Sequence, residues 1–133
     1  MPYLKINYKS EEGKPIFESV SLPRDSTGFL NRCYDLIGCN SIEIAHTILP
    51  GIVMIIDEQG KCKDGWEEKI NIYASFLYSS PFGPIVGNVI LAHRVDAELY
   101  PLSEGEIYHI VQTLSQYFSL EVKKCLEKEN RSR

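Results

Sequence analysis

The chain has 133 residues, of which 44% are hydrophobic and 24% charged, as in an ordinary soluble domain. Its 14 basic and 18 acidic residues give a net charge of −4, which disfavours nucleic acid as a partner because phosphate binding needs a basic surface. The apolar runs are shorter than the roughly 20 residues of a membrane-spanning helix, and the N-terminus lacks the apolar core of a secretion signal. We therefore expect one cytoplasmic domain, covering residues 1–133, without a membrane partner.

Alternating or continuous apolar patterns predict five strands along the chain. They cover residues 3–8, 16–22, 41–48, 52–56 and 85–95. The fourth, IVMII, is apolar on both faces and so predicts a strand inside the sheet. In the third, His46 shares a face with isoleucines, which favours a packed structural histidine over a ligand or a general base.

Three segments have helical periodicity. The first, DSTGFLNRCYDLIGC, would be capped by Ser26 or Thr27 and closed by a left-handed Gly38. The second lies within residues 65–80. The third starts at a capping box and extends to about residue 127. The expected buried stripes are Phe29, Cys33, Leu36 and Ile37 in the first helix, Ile70, Tyr73, Ala74 and Leu77 in the second, and Ile107, Ile110, Val111, Leu114, Phe118, Val122 and Cys125 in the third.

Strands mixed with helices, without strict alternation, are typical of the α+β class. We expect a mostly antiparallel sheet of about five strands with three helices packed on it, on one face. The segment DAELYPL before the last helix is expected to be a loop.

Two acids, Asp57 and Glu58, follow the strand IVMII directly. Adjacent strand residues point to opposite faces, so these carboxylates would not readily act on one substrate. Asp57 can bind nearby backbone amides, and Gly60 can adopt a positive φ. We interpret the segment as the turn of a hairpin rather than as a catalytic pair.

The four cysteines, Cys33, Cys39, Cys62 and Cys125, form no C-x-x-C pair. We expect free thiols, with Cys33 and Cys125 packed as small hydrophobic residues. The sequence predicts no metal site, no cofactor and no catalytic motif.

The segment YASFLYSSPFGPIVGN concentrates aromatic side chains around a turn with serines and glycines. One interpretation is that these rings only build and cover the core. The other makes them the rim of a pocket that stacks on a nucleotide-like ring, with amide contacts and a guanidinium for phosphate. The candidate ligand-binding residues are Tyr78, Ser80, Phe82, Asn88, His93 and Arg94.

The last helix carries apolar and aromatic residues beyond one narrow stripe, including Tyr117 and Leu120. The excess could contact another subunit, so we expect a homodimer or a higher homo-oligomer. The alternative is that these side chains lie on the surface with their polar ends in water.

Four blocks, LIGCNSIEIA, GIVMIIDEQGK, INIYASFLY and GPIVGNVILA, within about residues 36–93, resemble an uncharacterised family of small phage, prophage and mobile-element proteins. The family pattern includes an N-x-x-A helix start, and this chain departs from it at Lys69 and Ile70. The resemblance implies a mobile-element origin and a role in binding, and it carries over no catalytic residue.

The leading hypothesis is a non-enzymatic accessory protein that sequesters a nucleotide-derived signalling molecule of a bacterial host's defence. One alternative is an inhibitor that binds a host defence enzyme directly. Another is a small hydrolase or transferase that acts through His93, Glu43 or Asp57.

Overall fold

The computed structural model describes the backbone of residues 2–81 and 83–131 and the side chains of residues 2–81 and 83–118. The strands are β1 (Tyr3–Glu11), β2 (Lys14–Val20), β3 (Ile42–His46), β4 (Ile52–Asp57), β5 (Val89–Val95) and β6 (Glu98–Tyr100). The helices are α1 (Ser26–Ile37), α2 (Ile72–Leu77) and α3 (Glu104–Arg131). Two short 3₁₀ turns, Gly60–Cys62 and Trp66–Lys69, separate β4 from α2.

All strand pairs are antiparallel, and the sheet order is β2-β1-β5-β4-β3, with β6 also paired to β5. The predicted α+β class with an antiparallel sheet is therefore confirmed. The sequence did not predict β6, because its three residues were interpreted as loop. Asp96 adopts a φ of 54°, and this tight turn folds residues 98–100 back onto β5.

Helices cover both faces of the sheet. Residues of β4 and β5 alternate between two cores: Val53 and Ile90 pack on the side of α1, while Met54 and Leu91 pack on the side of α2 and α3. The expectation of helices on one face is therefore wrong. Strands that are apolar on both faces need a cover on each side, and the IVMII segment already carried that signal.

Strand β3 lies at one end of the sheet order, and its isoleucines are less buried than its pattern predicts. Ile44 is 38% exposed and Ile48, two residues beyond the strand, is 53% exposed, whereas Ala45 on the other face is buried. His46 is also exposed, so it is not the packed histidine that we expected. Helix α1 makes its main contacts with β4 and β5, and the backbone at the end of β3 is bound by residues 77–79, since the N–H of Ser79 donates to the His46 carbonyl at 3.1 Å.

Helix α1 has the predicted course but a different cap. The Asp25 carboxylate accepts from the backbone N–H of Gly28 at 2.7 Å, so the cap is neither Ser26 nor Thr27. Gly38 closes the helix with a φ of 80°, as predicted. In the expected stripe Cys33 and Ile37 are buried, and Phe29 and Leu36 are half-buried.

Helix α2 is shorter than the predicted helix because the chain is extended at Ile70. Ile70 forms an antiparallel bridge with Val86, and the helix starts only after Asn71, whose side chain accepts from the N–H of Ala74 at 3.0 Å. Three residues of the predicted buried stripe, Tyr73, Ala74 and Leu77, are buried, while the fourth, Ile70, precedes the helix.

Helix α3 begins with the predicted capping box. The N–H of Glu106 donates to the Ser103 hydroxyl at 3.1 Å, and the N–H of Ser103 donates to the Glu106 carboxylate at 3.0 Å. Its first buried residues, Ile110 and Leu114, anchor it against the sheet. The side chains of Val122 and Cys125, which were also expected in the buried stripe, and of Leu120, which was expected to contact another subunit, lie outside the described residues.

The turn after β4 confirms the structural role of Asp57 but not the hairpin. One carboxylate oxygen accepts from the Gln59 N–H at 2.9 Å, and the other pairs with the Lys63 ammonium at 2.7 Å. The next elements are 3₁₀ turns, so β4 has no hairpin partner here. Gly60 does not adopt a positive φ; instead it lies so close to Val86 that an added Cβ would be 3.2 Å from the Val86 Cβ.

Among the described cysteines, Cys33 and Cys39 are buried free thiols and Cys62 is an exposed one. In the part of the chain that the structure describes, none of the helices combines the length and apolar character that crossing a membrane requires.

Candidate functional site

A cleft of about 550 Å³ opens at the start of β1, and we call it the Tyr3 cleft. Other depressions among the described residues have volumes of about 430, 180 and 160 Å³. The Tyr3 cleft is lined by Tyr3, Ser21, Leu22, Pro23, Arg24, Phe29, Glu98, Leu99, Tyr100 and Pro101. Its volume falls in the range of about 300–1,000 Å³ typical of ligand pockets, and its lining combines aromatic and aliphatic side chains with a serine, an arginine and a glutamate.

The end of β2 and the cap of α1 position one wall. Val20 pairs with Tyr3 in the last rung between β2 and β1, and the link over residues 21–24 then leads to Asp25. Because Asp25 caps α1, Phe29 lies one turn into the helix. Its ring meets the Tyr3 ring edge to face, with centroids 6.2 Å apart.

Strand β6 forms another wall. Leu99 pairs with Arg94 of β5 and packs into the α1-side core, while its neighbours Glu98 and Tyr100 alternate away from that core and form the rim. The Tyr100 hydroxyl donates to the Glu98 carboxylate at 2.6 Å. Tyr100 is 43% exposed.

Burial dominates the electrostatics at the base of this cleft. It raises the pKa of the Tyr3 hydroxyl, and neighbouring Cys33 adds to this rise while the Arg24 charge opposes it. Burial likewise raises the pKa of the Cys33 thiol to about 11, with a further rise from Cys39. Both groups are therefore neutral near pH 7, and Arg24 and Glu98 are the charged side chains of the lining.

Tyr78 and Ser80, two of the ligand-binding residues predicted from the sequence, do not line the Tyr3 cleft. Tyr78 lines the 180 Å³ depression together with Asp57, and its N–H donates to the Ala74 carbonyl at 3.0 Å. Ser80 follows, half-buried, while Phe82 lies outside the described residues.

Asn88 has a structural contact and a place in another depression. Its side-chain oxygen accepts from the Tyr8 N–H at 3.0 Å, which ties the start of β5 to β1. It also lines the 160 Å³ depression beside Trp66 and Lys63.

His93 and Arg94 lie at the other end of β5 and point to opposite faces. Arg94 lines the open 430 Å³ depression with His46, and its Nε donates to the Asp96 carbonyl at 2.7 Å. The His93 ring instead forms a 2.9 Å contact with the Glu106 carboxylate. Six residues of extended chain separate Asn88 from Arg94 by roughly 20 Å. The predicted residues are therefore spread over several surfaces and do not form one pocket.

The residues of the enzymatic alternative are also separated. Glu43 and Asp57 share the 180 Å³ depression, whereas His93 pairs with Ile52 at the far end of β4. Ile52 and Asp57 are five strand residues apart, so about 17 Å separates His93 from the Asp57 end of β4. Within the described residues, no three metal-ligating side chains lie close enough to hold a metal ion.

The comparisons with protein-family models, curated proteins and solved structures find no match for this chain. The resemblance to the phage and prophage family therefore stays a prediction. The Tyr3 cleft could not be predicted because its walls come from segments up to 98 positions apart, from Tyr3 to Pro101, and only the high aromatic content of the sequence indicated a stacking site.

Proposed function

We propose that the protein acts by binding, without catalysis, and that its ligand is a small, flat, nucleotide-like molecule held in the Tyr3 cleft. The observation that carries this proposal is the composition of the cleft: about 550 Å³ bounded by aromatic rings, with one guanidinium and one carboxylate. Aromatic faces stack on planar rings, and a guanidinium offers paired donors to a phosphate. Phe29 would contact the ring, and Arg24 the phosphate.

The biological part of the proposal comes from the family resemblance. A small binding protein of a phage or another mobile element, in the cytoplasm of a bacterial host, would act by sequestering a nucleotide-derived signal. Such a protein needs affinity and abundance, and it returns its ligand chemically unchanged.

Isothermal titration with cyclic nucleotides and ADP-ribose derivatives tests the binding step. We expect at least one of these ligands to bind, and to be recovered intact when the protein is denatured. A chemically altered ligand would contradict the non-catalytic role, and the absence of binding across the panel would contradict the proposal as a whole.

A matched pair of arginine variants locates the site. Arg24→Gln removes the charge in the cleft and should weaken binding of a phosphate-bearing ligand about tenfold or more, because a hydrogen bond to a charged group contributes about 1.5–3 kcal/mol. Arg32→Gln makes the same change at an exposed position of α1 outside the cleft lining and should leave the affinity unchanged. Equal affinities of the two variants would rule out this cleft.

We also propose that the chain forms a homodimer through β3, at the end of the sheet. Strand β3 is the last strand on its side, and Ile44 on it is 38% exposed. End strands with apolar side chains readily pair with a second chain. Native mass spectrometry should detect a dimer for the natural chain and a monomer for Ile44→Lys; a monomeric natural chain would contradict this part.

A further inference from the structure

Strand β6 continues the line of β1 along the same edge of β5. His93 pairs with Ile52 of β4 and also with Tyr100 of β6, so β6 lies on the edge of β5 opposite β4. Strand β1 pairs with that same edge, and the N–H of Leu102 donates to the Pro2 carbonyl at 3.0 Å where the two segments meet. Strands β1 and β6 therefore lie end to end in the sheet.

Among the residues that the structure describes, no strand lies beside β6 where a continuation of β2 would run. Strand β2 pairs with β1 as far as Val20, opposite Tyr3, and residues 21–24 then lead away to α1. The Tyr3 cleft lies at this position, since its lining includes residues 21–24 and the three residues of β6. The outer edge of β6 therefore faces the cleft.

The backbone of Leu99 provides a hydrogen-bond donor and an acceptor at this edge. The Arg94 N–H donates to the Gly51 carbonyl at 2.8 Å, on the β4 side, so Arg94 and Leu99 are a pair that exchanges no hydrogen bonds. The N–H and C=O of Leu99 therefore point away from β5, toward the cleft that this residue lines. Neither group has a hydrogen-bond partner among the described residues.

This free edge is only one residue long. The backbone groups of Glu98 and Tyr100 point back to β5, and the turn at Asp96 ends the strand on one side. On the other side Pro101 has no N–H, so it lacks the donor that a further rung with an added peptide strand would need. A single donor beside a single acceptor fits one edge of a planar ring instead.

Each common nucleobase has such an edge. Its Watson–Crick edge places an acceptor beside a donor: N1 and the 6-amino group in adenine, O6 and N1–H in guanine, N3 and the 4-amino group in cytosine, O4 and N3–H in uracil. The side chains of Tyr3, Phe29 and Leu99 all pack on the α1 side of the sheet. A base held at the Leu99 backbone would thus have aromatic rings on that side.

We propose that the Tyr3 cleft binds a nucleotide by the Watson–Crick edge of its base, with the Leu99 N–H donating to the base acceptor and the Leu99 carbonyl accepting from the base donor. This inference rests on the proposed function, since it names the part of the ligand that the same cleft recognises. Leu99 is the specificity-determining residue, and the ligand class is a nucleotide whose Watson–Crick edge is unmodified.

Titration calorimetry with the 5′-monophosphates of adenosine, guanosine, cytidine and uridine, each compared with its edge-methylated form, tests the inference. Methylation of N1 in a purine or N3 in a pyrimidine blocks this edge. It should weaken each nucleotide that binds about tenfold or more, because polar groups of the cleft are then left unpaired. The 1-methylguanine and 3-methyluracil bases gain no charge, which separates loss of the edge from an effect of charge. The 5-methyluridine monophosphate carries its methyl group away from this edge and should bind like uridine monophosphate.

The variants Leu99→Pro and Leu99→Ala form a matched pair. Both remove the leucine side chain, but only proline removes the N–H, which β6 does not use for pairing with β5. Leu99→Pro should bind an unmodified nucleotide about tenfold more weakly than Leu99→Ala does. Circular dichroism checks that each variant is folded, and the methylated nucleotides test the natural chain independently of both.

The outcomes separate the two proposals. Equal affinities for unmodified and edge-methylated nucleotides overturn recognition of the base edge and leave nucleotide binding in place. Equal affinities of two folded Leu99 variants overturn the role of the Leu99 N–H. Failure of all four unmodified nucleotides to bind overturns this inference, and failure of the cyclic nucleotides and ADP-ribose derivatives as well overturns the proposed function.

Discussion

At the scale of single residues, Asn71 is the buried polar residue on which several elements depend. It is fully buried, and its side-chain NH₂ donates to the carbonyls of Ile6 at 3.1 Å and Gly87 at 2.9 Å, while its oxygen caps α2. Asn71→Ala removes the cap and leaves two carbonyls without these donors. We expect a loss of about 2–4 kcal/mol in the free energy of unfolding, measured by urea denaturation.

The control for Asn71 is Asn40→Ala, at an exposed position, which should change the free energy of unfolding by less than about 0.5 kcal/mol. Asn71→Asp keeps the capping oxygen but places a carboxylate against two carbonyl oxygens. It should therefore be destabilised at neutral pH and partly recover in acid, where the carboxyl is protonated. Similar stabilities for Asn71→Ala and Asn40→Ala would show that this network contributes little.

The capping role of Asn71 could be predicted from sequence, since an asparagine three residues before Ala74 is a local pattern. Its burial could not, because its two carbonyl partners lie 65 and 16 residues away in the chain. The same limit explains Gly60, whose need for glycine comes from Val86 and not from its own backbone angles.

At the scale of elements, the turn after β4 packs against the segment that enters β5. An added Cβ at Gly60 would lie 3.2 Å from the Val86 Cβ, so Gly60→Ala should destabilise the protein by about 1–3 kcal/mol through overpacking. Gly105→Ala is the matched change, since nothing lies within 4 Å of its added Cβ. It should stabilise α3 by about 0.5 kcal/mol. Thermal unfolding measures both, and shifts of the same sign would contradict the packing argument.

The start of α3 gives the protein a defined response to acid. Burial alone would raise the pKa of Glu106, but the hydrogen bonds from the Ser103 N–H, the His93 ring and the Ser103 hydroxyl lower it overall. A carboxyl whose pKa is lowered on folding stabilises the protein above its ordinary value of 4.5, and this contribution is lost as the pH falls through the lower folded value.

Glu106→Gln should therefore destabilise the protein at pH 7 by about 1 kcal/mol and flatten the loss of stability below about pH 4.5. Urea denaturation between pH 7 and pH 3 measures both effects. Glu104→Gln, in the same helical turn, should keep the acid dependence of the natural chain. If Glu106→Gln kept it as well, the pairing with His93 and Ser103 would not be its source.

The elements that could be predicted from sequence are those whose pattern is local and long, such as β4, α1 and α3. The prediction failed where other parts of the chain decide the structure. Helix α2 is cut short because Ile70 pairs with Val86, and β6 forms because a turn at Asp96 returns three residues to β5. The partner of Ile70 lies 16 residues further along the chain, whereas β6 forms a local hairpin but has only three residues, too few for a strand pattern.

At the scale of the whole molecule, the sheet is shared by two cores. Ile90 and Leu91 are adjacent and fully buried, yet Ile90 packs on the side of α1 and Leu91 on the side of α2 and α3. The sequence indicated two apolar faces for β4 but not which helix covers each face. The Tyr3 cleft likewise depends on the whole fold, since its walls come from β1, β6 and the start of α1.

Because β4 and β5 alternate between the two cores, neither core can melt while the other keeps its sheet. We expect Ile90→Ala and Leu91→Ala each to lower the free energy of unfolding by about 2–5 kcal/mol. For each variant the urea midpoints from far-ultraviolet circular dichroism and from the fluorescence of Trp66, the single tryptophan, should coincide. Midpoints that separate in either variant would mean that the two faces unfold independently, which the shared strands should not allow.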